Sequence, residues 1–242
     1  MAGENSTKSF DPADDSDDNE YASEKDSEQT ELSSILDKLS LGSKKERKKL
    51  LILNPNGLLL HRVHMQNLRR KPDNRSPDAT CGPNLVYKRP FVGEFMKFCL
   101  ERFEVGIWSS ANELDQKHST NSGFKTLKNS DEQMFFKDLS KVFQKFKEFS
   151  ASNTILIDNE PFKALINPDN TGLFRVTYDP RSAADSTLDP EGEFGSYLDD
   201  LANASDVQAY IKENSFGQFM IDSPHPDWSF YRKVSKIVSY LA

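Results

Sequence analysis

The most constraining feature of this chain is an unbroken apolar run, Leu50–Leu53, that stops at Asn54-Pro55-Asn56-Gly57. A short apolar run closed by turn-forming residues is typical of a strand that is buried on both faces of a parallel sheet. In open α/β sheets the ligand lies outside the carboxyl ends of such strands. Asn54 and Asn56 therefore occupy a position where chemistry is expected, and both carry uncharged amides.

Two later segments repeat the pattern of a buried strand followed by polar residues. Phe103–Trp108 ends at Ser109, and Thr154–Ile157 ends at Asp158. Pro90 is expected to open a helix between the first two strands, with Phe91, Phe95, Phe98 and Cys99 on one apolar face. Strand, helix and strand at this spacing indicate a βαβ unit. The prediction is an α/β fold with a mostly parallel sheet flanked by helices.

The remaining segments are less regular. Residues 61–88 are predicted to form a long polar loop whose cations could attract an anionic ligand or be solvated; these are Arg62, Arg69, Arg70, Lys71, Arg75 and Lys88. Residues 112–123 lack amphipathic periodicity, so they are not expected to supply a crossover helix followed by a strand. A helix carrying Lys137 is predicted to begin at Ser130-Asp131-Glu132. Further predicted elements are a strand at Leu173–Val176 and helices at Tyr197–Leu201, Val207–Ile211 and Trp228–Leu241.

Charge divides the chain into regions. The net charge is −7 over 242 residues, but residues 1–31 hold eleven acids and two lysines, which leaves the rest at +2. Residues 1–31 are predicted to be a disordered acidic tail, either solvated or an interaction arm. Residues 32–47 are predicted to be a short helix and basic linker, 48–217 the folded domain, and 218–242 a C-terminal helical extension.

Composition narrows the cellular setting. No apolar run approaches the roughly 20 residues that span a bilayer, and neither a secretory signal nor a mitochondrial presequence is recognisable. Cys81 and Cys99, without CxxC spacing, argue against a disulfide framework or a zinc site. The basic cluster at residues 44–49 is either a nuclear localisation signal or a solvated approach to the first strand. A nuclear or cytoplasmic protein, with no direct nucleic-acid partner, is expected.

The predicted strand ends and Lys137 together have the chemistry of one reaction type. A strand-end carboxylate that attacks phosphorus, a hydroxyl and a lysine that hold phosphate oxygens, and acids that hold Mg²⁺ are the requirements for phosphoryl transfer through an aspartyl-phosphate. Here the corresponding positions are Asn54/Asn56, Ser109, Lys137 and Asp158/Asn159.

Five segments in this order resemble a known family: 48–53, Lys88-Arg89-Pro90, 103–110, Phe136-Lys137-Asp138-Leu139 and 156–161. The chain resembles haloacid-dehalogenase-fold phosphatases of the NLI-interacting-factor type, which include the small phosphatases of the RNA polymerase II C-terminal domain (CTD). The family also includes the receptor subunit of the mitochondrial inner-membrane translocase.

Relative to the family, which usually has a helix and a strand after the serine motif, roughly one βα unit is expected to be shortened or missing after Ser110. The resemblance also implies a role for each position. The nucleophile falls on Asn54, the general acid on Asn56, the phosphate contacts on Ser109 and Lys137, a metal ligand on Asn159, and a nearby acid on Asp158. A site of this kind uses Mg²⁺, held by Asp158 and Asn159 if it still binds.

Three departures from the family pattern affect the expected function. Asn54 cannot form an aspartyl-phosphate, Asn56 has no proton to give at a useful pKa, and Pro55 removes a backbone N–H that could face phosphate. The leading hypothesis is a pseudophosphatase that binds a phosphoprotein or peptide without turnover. The alternatives are a weak Mg²⁺-dependent protein serine/threonine phosphatase, and a non-catalytic presequence-binding component of a translocase complex at the mitochondrial inner membrane.

Overall fold

A computed structural model describes residues 48–67, 71–109, 119–182 and 184–241. The expected acidic tail (1–31) and the short helix and linker (32–47) lie outside the described residues. So do Arg69, Arg70 and residues 112–118 of the expected bridge. Residues Lys48–Ala242 are assigned to one compact unit.

The described residues alternate between strands and helices. The strands are β1 (Leu50–Leu53), β2 (Leu60–His64), β3 (Ala79–Cys81), β4 (Asn84–Lys88), β5 (Glu104–Ile107), β6 (Thr120–Lys125), β7 (Gln133–Phe136), β8 (Thr154–Asp158) and β9 (Gly172–Phe174). The helices are α1 (Val92–Arg102), α2 (Leu139–Lys145), α3 (Glu193–Asn203), α4 (Val207–Glu213) and α5 (Trp228–Leu241). Short 3₁₀ turns cover Ala151–Asn153 and Pro161–Ala164.

The central sheet has four parallel strands in the order β5-β1-β8-β9. Successive side chains of a strand point to opposite faces. Leu51 and Leu53 of β1 therefore pack with α1, α3 and α4, while Leu50 and Ile52 pack with α2 on the other side. Burying each such side chain contributes about 1.5–3 kcal/mol. The predicted fold class, a mostly parallel sheet flanked by helices, is confirmed.

Helix α1 begins slightly later than its proline suggests. Phe91, directly after Pro90, adopts a left-handed conformation with φ of 62°, and the helix proper starts at Val92. Phe95, Phe98 and Cys99 are buried as predicted, but Phe91 is 41% exposed. The apolar face of α1 is therefore one residue shorter than the sequence pattern indicates.

The predicted loop over residues 61–88 is wrong in part, because it contains a three-stranded antiparallel sheet in the order β2-β4-β3. Pro72 and Pro77 fall in the connection before β3, and Pro83 lies with Gly82 in the turn between β3 and β4. Gly82 has a φ of 54°, which suits a tight turn. The prolines thus mark the connections of this sheet, whereas its strands are too polar to show a strong strand pattern.

The predicted helix from Ser130 is also wrong over its first half. Residues Gln133–Phe136 form β7, which pairs antiparallel with β6, and the helix α2 begins only at Leu139, where Asp138 Oδ1 accepts a bond from Ser140 N at 3.0 Å. Met134 and Phe136 are both fully buried, and this spacing of two is that of a strand. Strand β6 includes residues 120–123, so the end of the expected irregular bridge is ordered.

The C-terminal helix α5 spans Trp228–Leu241, as the sequence predicts. Its Tyr231, Val234 and Val238 pack against Met134 and Phe136 of β7. The boundary between a 48–217 domain and a 218–242 extension stays a prediction. Among the helices of the described residues, none has the length and apolar character needed to cross a bilayer.

Candidate functional site

The register of the parallel strands brings three strand ends to one edge of the sheet. Leu53 pairs with Ile107 on one side and with Ile157 on the other. Beyond these pairs, Trp108 N donates to Leu53 O at 3.0 Å and Asn54 N donates to Ile157 O at 2.9 Å. The residues that follow β1, β5 and β8 therefore share this edge.

Asn54 lies at the centre of the edge and is only 2% exposed. Its Nδ2 donates to Asn56 O at 2.7 Å, to Asn159 Oδ1 at 2.7 Å and to Asp158 Oδ1 at 3.1 Å. The side-chain nitrogen of Asn54, at the position that the resemblance assigns to the nucleophile, is thus engaged with neighbouring acceptors. We call these four residues the amide cluster: Asn54, Asn56, Asp158 and Asn159.

Asn56 joins the amide cluster through its backbone and not through its side chain. The carbonyl oxygen accepts from Asn54, while the side-chain Oδ1 accepts from the backbone N of Arg62 at 3.2 Å. Arg62 lies on β2, so the side chain of Asn56 ties the loop after β1 to the start of the antiparallel sheet. An uncharged amide in this structural bond replaces the expected acid.

Gly57 closes the turn below Asn56. Its φ of +88° is in the left-handed region, and an added Cβ would lie 2.6 Å from Asn159 Nδ2. Tyr178 N also donates to Gly57 O at 2.8 Å. Only glycine provides both this backbone conformation and this close approach, so the residue fixes how near the β1 and β8 loops come.

Lys137 directly follows β7 rather than lying on a helix as predicted. It is fully buried, and its Nζ donates to Asp158 Oδ2 at 2.7 Å. Its backbone is held by a bond from Lys137 N to Lys163 O and by another from Asn167 Nδ2 to Lys137 O, each 2.8 Å. Burial lowers the pKa of Lys137 to about 8, against the opposing attraction of Asp158.

Both oxygens of Asp158 are committed within the protein. Oδ2 accepts from Lys137, and Oδ1 accepts from the backbone N of Asn159 at 2.7 Å and of Glu160 at 3.1 Å in addition to Asn54. Asp158 is the last residue of β8 and is fully buried. It therefore organises both the lysine and its own loop.

Two charged residues at the site were not assigned a role from the sequence. Lys163 Nζ lies 3.8 Å from Asp158 Oδ1 and 2.8 Å from Glu160 Oε2. Burial acts to lower the pKa of Lys163, but the charges of Asp158 and Glu160 outweigh it and raise the pKa. The usable sequence signal was the three-residue spacing of Glu160 and Lys163 around Pro161, which starts a 3₁₀ turn.

Ser109 lies two residues beyond the end of β5, at the same edge, and is half-buried. The structure therefore gathers Asn54, Asn56, Asp158 and Asn159 into one cluster, bonds Lys137 to it, and sets Ser109 on the neighbouring strand end.

The donor set of this edge does not fit a resident Mg²⁺. Mg²⁺ favours carboxylate and water oxygens in strict octahedral geometry. The amide cluster offers one carboxylate, that of Asp158, and its oxygens are already bonded to Lys137 and close to Lys163. Within the described ranges, no group of three or more His, Cys, Asp or Glu side chains could hold a metal ion.

The four-stranded parallel sheet and the buried lysine–aspartate pair at its carboxyl edge define an α/β domain with a polar site at its strand ends. The family model for NLI interacting factor-like phosphatases matches residues 49–208. The chain belongs to this family, and the resemblance to NLI-interacting-factor-type phosphatases seen in the sequence is confirmed.

A solved structure that matches is that of the fission yeast RNA polymerase II CTD phosphatase Fcp1, a variant bound to beryllium fluoride. The sequence identity is 13% and the TM-score 0.37. The match covers 86% of this chain and 66% of that chain, so this chain spans just under two thirds of its length. Among curated proteins, none matches this chain.

Proposed function

We propose that this chain is a pseudophosphatase, which binds a phosphoprotein or phosphopeptide without hydrolysing it. The observation that carries the proposal is the bonding of Asn54. An uncharged amide there is a poor nucleophile and cannot form an aspartyl-phosphate, and its nitrogen is used in bonds to Asn56, Asp158 and Asn159.

The general-acid position supports the same function. The side chain of Asn56 accepts a backbone bond from Arg62, and an amide has no proton to give a leaving group at a useful pKa. The residues for both proton transfer and attack on phosphorus are therefore replaced by amides. Family membership suggests Mg²⁺, but the amide cluster offers this ion only one carboxylate, that of Asp158.

Binding of an anionic peptide is supported by cations around the edge. Arg62, on β2, bonds Asn56 Oδ1 through its backbone N. Arg75 Nη1 donates to the hydroxyl of Tyr178 at 2.7 Å, and its Nη2 pairs with Asp78. Lys137 is fully buried and paired with Asp158, so it makes no direct contact with a bound peptide. Phosphate groups are attracted to such clusters.

An assay of purified protein with an aryl phosphate and Mg²⁺ tests the loss of catalysis. We expect no turnover above the buffer rate. Turnover that Lys137→Ala abolishes would establish instead the weak Mg²⁺-dependent phosphatase. The variant Asn54→Asp/Asn56→Asp serves as the comparison, because it restores both carboxylates to the same fold.

Calorimetry with a phosphoserine peptide and its unphosphorylated twin tests the binding. We expect affinity for the phosphorylated peptide only, and we expect Arg62→Ala to weaken it by about tenfold, as for loss of a charge-assisted contact. The exposed Lys147→Ala is the matched control and should change nothing. Equal affinity for both peptides would overturn the proposed ligand.

Subcellular fractionation tests the cellular setting. We propose the nucleus or cytoplasm, with the phosphoprotein partner in the same compartment. Recovery of the protein with mitochondrial inner membranes would favour presequence binding in a translocase instead.

A further inference from the structure

The amide cluster is more crowded than ordinary hydrogen bonding requires. Asn54 Nδ2 lies within 3.1 Å of three acceptor oxygens, and the facing amide atom of Asn159 lies 3.1 Å from Asp158 Oδ1 and 3.2 Å from Asn56 O. Oxygens that bind one Mg²⁺ at about 2.1 Å in an octahedron are about 3 Å apart along its edges. The atoms of this cluster have the spacing of oxygens that share a cation.

The side-chain amides of Asn54 and Asn159 hold the cluster together. The facing atoms of Asn54 and Asn159 are 2.7 Å apart, so one must be a nitrogen and the other an oxygen. If the nitrogen belongs to Asn54, it donates to Asn56 O and Asp158 Oδ1 at 2.7 and 3.1 Å. If the Asn159 amide is turned round, its nitrogen donates to the same two oxygens at 3.2 and 3.1 Å. The second arrangement would leave the Asn54 oxygen 2.7 Å from Asn56 O with no hydrogen between them, so the bridging nitrogen is that of Asn54.

The charges around the cluster are already balanced. Asp158 lies 2.7 Å from Lys137, and Glu160 lies 2.8 Å from Lys163, which in turn lies 3.8 Å from Asp158. Two acids and two lysines sum to zero. A divalent cation would bring two uncompensated positive charges into a buried network, where an unpaired charge is costly.

From this geometry we propose that the amide of Asn54 takes the place of a divalent cation in holding the carboxyl edge of the sheet together. The wild-type protein keeps this edge without Mg²⁺, and a carboxylate at position 54 makes the edge dependent on Mg²⁺. Two carboxylates at 54 and 158 would bring like charges to about 3 Å and would lose the bridging hydrogens. The two hydrogens of a turned Asn159 amide could not satisfy all three facing oxygens, whereas one cation can bind them together.

Thermal unfolding in EDTA and in 10 mM Mg²⁺ (on the order of the concentration that saturates weak protein sites) tests the proposal. We expect the melting temperature of the wild type to be equal in both media. In EDTA the Asn54→Asp variant should melt about 5 °C below the wild type. In Mg²⁺ most of this difference should disappear. A wild type that Mg²⁺ stabilises, or an Asn54→Asp variant that melts alike in both media, would overturn the proposal.

Asn56→Asp is the matched control, because the side chain of Asn56 accepts from Arg62 N, while only its backbone oxygen accepts from Asn54. It adds the same charge two residues away and should show no Mg²⁺ dependence. Asn54→Ala removes the bridge without adding charge, so it should be destabilised equally in both media. If Asn54→Asp is unfolded in EDTA, folding in Mg²⁺ supports the proposal, and failure to fold in either medium overturns it.

The amide bridge and the absence of catalysis can be tested independently. A wild-type protein that hydrolyses an aryl phosphate but is indifferent to Mg²⁺ in unfolding would overturn the pseudophosphatase proposal alone. A protein without turnover that Mg²⁺ stabilises would overturn the amide bridge alone.

Discussion

The ammonium group of Lys137 lies 2.7 Å from Oδ2 of Asp158, and neither side chain is exposed to solvent. Lys163, by contrast, is farther from Asp158 and is partly exposed. Both charged groups of the Lys137–Asp158 pair are removed from water, so each needs the other to offset the cost of its desolvation. This pair links the end of β7 to the end of β8.

Removing the lysine should therefore be costly. We expect Lys137→Met to lower the free energy of unfolding by about 3–5 kcal/mol, because it leaves the buried Asp158 carboxylate without its main partner. Urea unfolding measures the change. The double variant Lys137→Met/Asp158→Asn should recover part of the loss, since both charges are then gone. The exposed Lys145→Met is the control, and a Lys137→Met variant within about 1 kcal/mol of the wild type would contradict the prediction.

The same lysine predicts a dependence of stability on pH. Its pKa is lowered from 10.5 to about 8 in the folded state, chiefly by burial. Between these values the unfolded chain binds the proton and the folded protein does not, so the free energy of unfolding should rise with pH, at up to about 1.4 kcal/mol per unit. At lower pH this gain is absent.

Urea unfolding at pH 7, 8 and 9 of the wild type and of Lys137→Met measures this effect. We expect the difference between the two proteins to widen by about 1 kcal/mol towards pH 9. Buried Cys99, whose pKa is raised from 9.0 to about 12 by burial, acts in the opposite direction at higher pH but is common to both proteins. A difference that does not change with pH would contradict the lowered pKa.

Gly57 should tolerate no side chain. Gly57→Ala places a Cβ at +88° φ and 2.6 Å from the amide of Asn159, so we expect a loss of about 2–4 kcal/mol from strain and from displacement of the cluster. Thermal unfolding checks this. Gly93→Ala is the control, because it lies inside α1 with nothing within 4 Å of the added Cβ, and it should be neutral or stabilising.

The two cysteines should differ in reactivity. Cys81 is exposed and Cys99 is fully buried, and burial raises the pKa of Cys99 to about 12. At pH 8 only about one Cys99 in ten thousand is a thiolate, the reactive form. We expect one thiol to react with a chromogenic disulfide in the native protein and two after denaturation. Two fast-reacting native thiols would contradict the packing of α1.

The sheet could be predicted from the sequence because its signals are local. Leu50–Leu53 and Thr154–Ile157 are apolar runs with polar stops, a pattern typical of strands that are buried on both faces of a parallel sheet. The shared edge follows from the common direction of the strands. These features therefore predict that Asn54, Ser109 and Asp158 share the carboxyl edge of the sheet.

The incorrect predictions concern segments whose sequence pattern is weak or suits both a helix and a strand. Met134, Phe135 and Phe136 suit a helix and a strand equally well, and only pairing with β6 makes them a strand. In β2, Val63 is the one buried residue, so the alternation of buried and exposed residues along this strand is too slight to recognise. Lys163 reaches Asp158 only through tertiary folding, which no local pattern encodes.

The position of β1 also governs when the edge can form during synthesis. Asn54 and Asp158 are 104 residues apart, and β8 lies on the side of β1 opposite to β5. At about 5–20 residues per second, a ribosome takes several seconds to make the intervening chain. Throughout that time one side of the Leu50–Leu53 strand lacks its partner and is open to wrong pairing or to a chaperone.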